Sequence, residues 1–344
     1  MKRTSLYHIG ASSLRDSGQC LAYFTIGKAL KGVFGLLICS LFSVEVIGGA
    51  DSFLTPLRIG PGHAPDIVVD AENEVIHLIY IDGDGVYYRK GDMGGVFGAP
   101  EKIIEEETKG RYWYPRIVID GNGVPHVVFC ILKPNTFSGI RSYYSNRIGG
   151  EWTVPLTVFS LDEGYDKWVN FPHLVTEDGG DTVYLCCKNK KPPVFGEVAK
   201  IVDASSSPKL VLKREVGFGG ITMLLLGGEL HLFGGEQGSW HLFKFDKETL
   251  ESTGEVVDMA SGVKTEQIRA YQDETDEVHF AGATWHGENE TRGFYNSLSR
   301  VREGKALIRY ATTNGHHCGN GRVVRDALTP ERIYNFHYSG AAGG

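Results

Sequence analysis

The chain has 344 residues, 42% hydrophobic and 22% charged, the make-up of a globular protein with ample apolar material for a core and not of a disordered one. Its 42 acidic residues outnumber 35 basic ones, a formal charge of -7, so it lacks the basic balance of a nucleic-acid binder and nucleic acid is excluded as the expected partner. The 45 glycines fall in short clusters between apolar runs, which implies many tight turns.

The first feature in chain order is an apolar run from Val33 to Ile47, preceded by Lys28 and Lys31 and followed by Gly48, Gly49 and Ala50. A basic stretch, an apolar run too short to span a bilayer and small residues before a cut after Ala50 read as a signal peptide or, if retained, an N-terminal membrane anchor. Residues 1–50 are therefore set apart from residues 51–344, which read as one domain. An exported protein is expected: secreted, periplasmic or at the cell surface.

After Asp51 the chain repeats itself. Pro65 to Asp70 (PDIVVD) leads to Val75 to Tyr80 (VIHLIY), and Pro115 to Asp120 (PRIVID) leads to Val124 to Phe129 (VPHVVF). Further copies begin at Pro172, Ile221 and Ile268 and continue to Val183, Glu229 and Glu277. Each joins two runs of β-branched and aromatic residues through an Asp, Gly or Asn turn, a hairpin signal. Two more runs follow in the better copies, so a unit holds four strands at the period of a propeller blade. The fold expected is an all-β propeller with five clear blades and room for a sixth. Prolines at 100, 155 and 208 mark the fourth strand, an edge where a ladder N–H can be spared, with Pro330 in the same role near the C-terminus. The same mark at Thr55 to Ile59 predicts a strand that completes the last blade and closes the ring.

His77, His126, His231 and His279 recur at one blade position, with Tyr184 in the third copy. A role needed once per molecule does not recur in every blade, so these side chains read as structural. Cys130, Cys186, Cys187 and Cys318 have no metal-ligand spacing, and Cys186 and Cys187 read as one core and one outward residue of a strand. A Cys130 to Cys186 bridge is open in an oxidising compartment. The short cluster His316, His317 and Cys318 lacks a second ligand pair. No metal or cofactor is expected, and the protein is read as a monomer.

At GVPHVVF (123–129), Tyr143 with Tyr144, and GGEWTVP (149–155), the repeat resembles the blades of sialidase-like propellers. This is the BNR-repeat family, which includes exo-sialidases and secreted polysaccharide lyases such as ulvan lyases. The resemblance covers residues 60–285 and implies a blade architecture and a polysaccharide or other glycan as partner. The family's Asp-box is unmatched: Ser160 to Gly164 (SLDEG) is similar but stands ahead of a first strand, and Trp168 comes one residue late. A sialidase's arginine triad and its Tyr/Glu pair are likewise unmatched.

In such a fold the loops entering each innermost strand, with those between second and third strands, line the ligand face. From the entering loops come His63 and Asp66, then Arg111, Tyr112, Trp113, Tyr114 and Arg116. Blade three adds Asp166, Lys167, Trp168, Asn170 and His173, and the last copy adds Glu266, Gln267 and Arg269. The other loops offer Asp82, Lys133, Asn135, Lys188, Asn189, Glu236, Trp285 and His286. Flat rings stack on sugars and guanidinium groups pair with carboxylate or sulfate, so an acidic polysaccharide fits this set. Three functions are open: a carbohydrate-binding module, a polysaccharide lyase and a glycoside hydrolase. For β-elimination, Arg116 would neutralise the uronate, His173 act as base, and Tyr112 or Tyr114 as acid. A hydrolase would draw a carboxylate pair from Asp66, Asp166 and Glu266.

Overall fold

The structure is a computed structural model that describes residues 6–8, 11–14, 19–22, 57–104, 111–132, 139–160, 169–263, 267–310, 317–325 and 333–340, apart from positions 62, 71, 84, 178, 192–193, 218, 237, 273–276, 286–290 and 306–307. Three short strands come first, β1 (Leu6–His8), β2 (Ala11–Leu14) and β3 (Gln19–Ala22), followed by β4 (Leu57–Pro61). The apolar run at 33–47, with the leader cut expected after it, lies outside the described residues.

Five antiparallel sheets then follow as the repeat requires, and the fold is an all-β propeller. Blade 1 is β5 (His63–Asp70), β6 (Val75–Asp82), β7 (Gly85–Asp92) and β8 (Glu101–Ile104). Blade 2 is β9 (Arg111–Ile119), β10 (Pro125–Leu132) and β11 (Gly139–Ile148), with its outer strand split into β12 (Glu151–Trp152) and β13 (Leu156–Ser160). Blade 3 is β14 (Val169–Thr176), β15 (Val183–Lys191), β16 (Val194–Val202) and β17 (Lys209–Val216). Blade 4 is β18 (Gly219–Leu226), β19 (Glu229–Glu236), β20 (Gly238–Phe245) and β21 (Ser252–Val263). Blade 5 is β22 (Gln267–Gln272), β23 (Val278–Trp285), β24 (Thr291–Ser297) and β25 (Ile308–Tyr310), with the short helix α1 (Leu298–Arg302) between its last two strands. A hairpin, β26 (His317–Arg325) and β27 (Ile333–Gly340), stands where a sixth blade was left open. Pro100, Pro155 and Pro208 each stand just before an outer strand, where no ladder donor is lost.

The expected ring-closing strand is not seen in that role. β4 pairs with β3, and β1 pairs along the open edge of β5, so strands within residues 6–22 join the propeller side of the chain. The single-copy proline signal at 55–59 identified a strand and not its partner, because pairing across many residues leaves no local mark.

Successive innermost strands lie side by side, β5 by β9, β9 by β14, β14 by β18 and β18 by β22. Both faces of a blade are therefore packed, and apolar clusters fill the seams. Val68, Ile79 and Tyr88 of blade 1 meet Ile117, Phe129 and Tyr143 of blade 2. Across the next seam Val128 and Tyr144 meet Leu174 and Leu185, and across the third Tyr184 and Val198 meet Met223 and Leu232. This corrects the reading of the paired cysteines. Cys187 packs toward the blade 2 side and Cys186 toward blade 4, so neither is outward; both are free and fully buried, as is Cys130.

In blades 1 and 2 the recurring histidine closes a bracket at the hairpin end. His126 Nδ1 is 2.7 Å from Tyr144 Oη and its Nε2 is 3.4 Å from Asp120 Oδ2, all three side chains being buried. His77 Nδ1 pairs with Tyr88 Oη at 2.8 Å, and in blade 3 the Tyr184 hydroxyl donates to Glu177 Oε1 at 3.0 Å. Burial opposes ionisation of Asp120, but hydrogen bonds from His126 and from the Val124 and Asn122 N–H groups outweigh it and hold the carboxyl below the usual range. His231 is half-buried and its Nδ1 lies 3.3 Å from the Glu229 carbonyl oxygen. The turn of the following blade lies on these carboxylates. Gly180, at φ +73, is so close that an added Cβ would stand 1.8 Å from Asp120 Oδ2.

Two outcomes follow from this bracket. Gly180→Ala must both strain the turn and displace a buried, hydrogen-bonded carboxylate, a cost of about 3 kcal/mol or more. Gly149→Ala, also at positive φ but facing open space, carries only the ~1 kcal/mol backbone term. Equal urea midpoints for the two variants would contradict the packing described. Burial lowers the His77 pKa from 6.5 to about 4, so the unfolded chain takes up a proton that the folded chain refuses. The stability this group contributes is complete above pH 6.5 and is lost, by up to roughly 3 kcal/mol, as pH falls toward 4. Urea titrations across that window should show a smaller pH slope in His77→Gln.

Candidate functional site

The strand registers place the entry of each innermost strand opposite the exit of the second strand: His63 by Ile81, Arg111 by Leu132, Asn170 by Lys188, and Gln267 by Ala283. Loops entering first strands and loops leaving second strands thus share one end of the blades, as the sequence implied. Of the candidates in those loops, Lys133, Asn135, Asp166, Lys167, Trp168, Glu266 and His286 lie outside the described residues. His63, Arg111, Asn170, Arg269 and Trp285 are described as strand positions in β5, β9, β14, β22 and β23.

One turn deeper, the inner strands of blades 1 to 4 all carry a bulge at the same point. The register slips between His63 and Asp66, between Trp113 and Arg116, between Asn170 and His173, and between Gly220 and Thr222. Pro65, Pro115 and Pro172 sit inside three of these bulges, where the ladder makes no demand for an N–H. Ala64 and Tyr114, the residues before two of the prolines, are forced to φ +49 and +51, a strained setting for a side chain. Past the bulge the strands realign, and Asp66, Arg116, His173, Thr222 and Arg269 occupy one equivalent position on five inner strands; each is followed by a residue paired with the one after the bracket histidine or tyrosine.

This position stitches blade to blade. Asp66 Oδ2 accepts the Ile117 N–H of blade 2 at 3.0 Å, and His173 Nδ1 accepts the Met223 N–H of blade 4 at 3.3 Å. Ile117 and Met223 are themselves equivalent, so the same bond recurs at two seams. His173 Nε2 is 3.1 Å from Thr222 Oγ1; with Nδ1 accepting, the proton resides on Nε2 and is donated to that hydroxyl. Both ring nitrogens of His173 are thus engaged by blade 4.

Arg116, like Arg269 of blade 5 and unlike Asp66, His173 and Thr222, has no acceptor atom. It is 7% exposed, its Nη1 donates to the Pro115 carbonyl at 2.8 Å, and its buried Nε has no partner among the described residues. No carboxylate pairs with it among those residues either. Burial lowers its pKa to about 10, so it remains a cation at neutral pH.

The aromatic candidates are divided by the bulge. Tyr112 is 1% exposed in the apolar seam of blades 1 and 2, whereas Tyr114 belongs to a separate cluster with Phe233, Trp240 and Phe280 of blades 4 and 5. Trp113 is half-buried, packs against that second cluster and meets the Tyr114 ring edge-on at 5.9 Å. The structure therefore brings Asp66, Arg116, His173 and Arg269 to one level of the inner strands and does not bring the two tyrosines to one side of them. Thr222 belongs to the same set and was missed, since Ile221 replaces the proline that marks this place in blades 1 to 3.

No known protein family and no curated protein matches the chain. Solved structures do resemble it in fold. A protein of unknown function from Dyadobacter fermentans superposes with a TM-score of 0.54 at 13% identity, over 82% of this chain and 91% of that one. A Bacteroides uniformis protein provisionally assigned as a 6-phosphogluconolactonase gives 0.53 at 11% identity, over 98% and 97%. The polysaccharide lyase Uly1 superposes more loosely, at 0.44 and 9% identity over 69% and 58%, too loosely to inform a reading of the site. What these likenesses establish is the propeller fold.

Proposed function

We propose that this propeller binds an acidic carbohydrate, without breaking a bond in it, on the end of the blades where the inner strands begin. The observation that carries the reading is Arg116, a buried cation that no carboxylate pairs with among the described residues. A buried charge without a partner costs several kcal/mol, and such costs persist where a ligand supplies the missing charge. Carboxylate and sulfate groups are the natural complements of a guanidinium, and Trp113, on the same inner strand and half-buried, is the ring assigned to a sugar.

Binding is favoured over β-elimination by what the proposed catalytic groups already do. A base must have a free lone pair, and the His173 lone pair is taken up by the Met223 N–H. The two tyrosines offered as acid are packed into different apolar clusters. Export, which the apolar run at 33–47 suggests, fits a protein that meets polysaccharide outside the cell.

The test is retention of the full chain on gels of uronate-rich, sulfated and neutral polysaccharides, with the absorbance of an unsaturated uronate followed in parallel. Retention on the acidic gels alone is expected, weakened at least ~10-fold in Arg116→Gln, since a charge-assisted hydrogen bond contributes roughly 1.5–3 kcal/mol. No unsaturated product should accumulate. Its appearance would replace the binding reading with a lyase, and equal retention on neutral gels would remove the acidic ligand.

A further inference from the structure

Three seams between blades can be compared directly, because the same backbone donor recurs in each. Ile117, Leu174 and Met223 are the residues that follow the post-bulge position in blades 2, 3 and 4, and each pairs with the residue after the bracket histidine or tyrosine. The Ile117 and Met223 N–H groups leave the ladder and bond to a side chain of the preceding blade, Asp66 in one case and His173 in the other. The seam between blades 2 and 3 has the same donor, Leu174, but the residue in the acceptor's place is Arg116, which can only donate. Among the described residues no side chain accepts the Leu174 N–H, and the Arg116 Nε is buried without a partner.

We propose that this seam is an oxyanion seat: the Arg116 guanidinium and the Leu174 N–H hold an oxygen of a carboxylate or sulfate group, which takes the structural place that a side-chain acceptor fills at the neighbouring seams. The assignment of that anion to a sugar acid rests on the reading above; the seat itself rests on the three-seam comparison. A bound anion then does two things at once. It neutralises the buried cation, and it supplies the missing blade-to-blade hydrogen bond, so occupancy tightens the propeller.

The seat makes a reciprocal prediction about one residue. In the full chain, the thermal midpoint should rise by about 3 °C or more on adding sulfate, acetate or glucuronate, relative to chloride at equal ionic strength. The three salts separate the sources: a sulfate response alone points to a sulfated ligand, and an acetate or glucuronate response to a uronate. Arg116→Asp installs the blade 1 residue and Arg116→His the blade 3 residue; each should match in chloride the midpoint that the native protein reaches only with its anion, and respond no further. An anion response of the same size in these variants and in the native chain would overturn the seat, as would no response in any of them. Should Arg116→Asp fail to fold, Arg116→His and the neutral Arg116→Gln carry the comparison. Retention on acidic polysaccharide without an anion response would overturn the seat and leave the binding reading standing. An anion response without retention would support the seat and retire the glycan.

Discussion

In blades 2 to 5 the innermost strand has a ladder partner on one side only, so every second backbone donor along its open edge must be satisfied by something outside its own sheet. Much of the structure follows from how that requirement is met. Apolar clusters fill the seams and drive the blades together, but burial is non-directional and sets no register between one sheet and the next. A hydrogen bond from an inner-strand N–H to a side chain of the preceding blade does set it. Asp66 and His173 supply that bond from the same position, one with a carboxylate and one with a neutral imidazole. A bulge stands just ahead of each, and the backbone is strained at Ala64 in the first and at Tyr114 in the corresponding bulge of blade 2.

Arg116 is notable against this background because it stands, between the seams of blades 1–2 and 3–4, at the place where Asp66 and His173 accept a bond. A cation inside a seam weakens the fold unless an anion comes to it, and a propeller with several intact seams can carry one such place. Stability and recognition therefore share a residue here: the seam that is incomplete without ligand is also the one with a charge to offer. The same reasoning assigns His173 away from chemistry. Its two ring nitrogens are engaged by blade 4, and the imidazole is one solution to a backbone problem.

Much of the fold was legible in the sequence, because blade strands and turns are encoded locally. Paired β-branched runs gave the hairpins, prolines marked outer strands, and the recurrence of His77, His126, His231 and His279 indicated a structural role, which the buried bonds of His77 and His126 to Tyr88 and Tyr144 fit, whereas His231 is only half-buried. Pairings between distant segments were not legible: a strand was expected at 55–59, where Leu57–Pro61 is found, and its partner at 19–22 was not. Cys187 was read as outward because alternation tells which face a residue is on and not whether a neighbouring blade covers that face. The site was legible as a set of residue types and not as a geometry. A bulge adds a residue to one strand and shifts what faces what, so Tyr112 and Tyr114, two apart in sequence, part company into different clusters. The equivalence of Asp66, Arg116, His173 and Thr222 emerges only once the cross-strand registers are known, since in blade 4 the proline that would have signalled it is absent.

The Leu174 amide is the donor at the seam that Arg116 occupies, and its hydrogen exchange in the full chain is the most direct measurement. In anion-free buffer Leu174 should exchange faster than its counterparts Ile117 and Met223, whose N–H groups are held by Asp66 and His173, and addition of the stabilising anion should slow Leu174 selectively. Equal protection of all three amides without any anion, unchanged when one is added, would mean that the seam between blades 2 and 3 is already complete and that Arg116 waits for nothing.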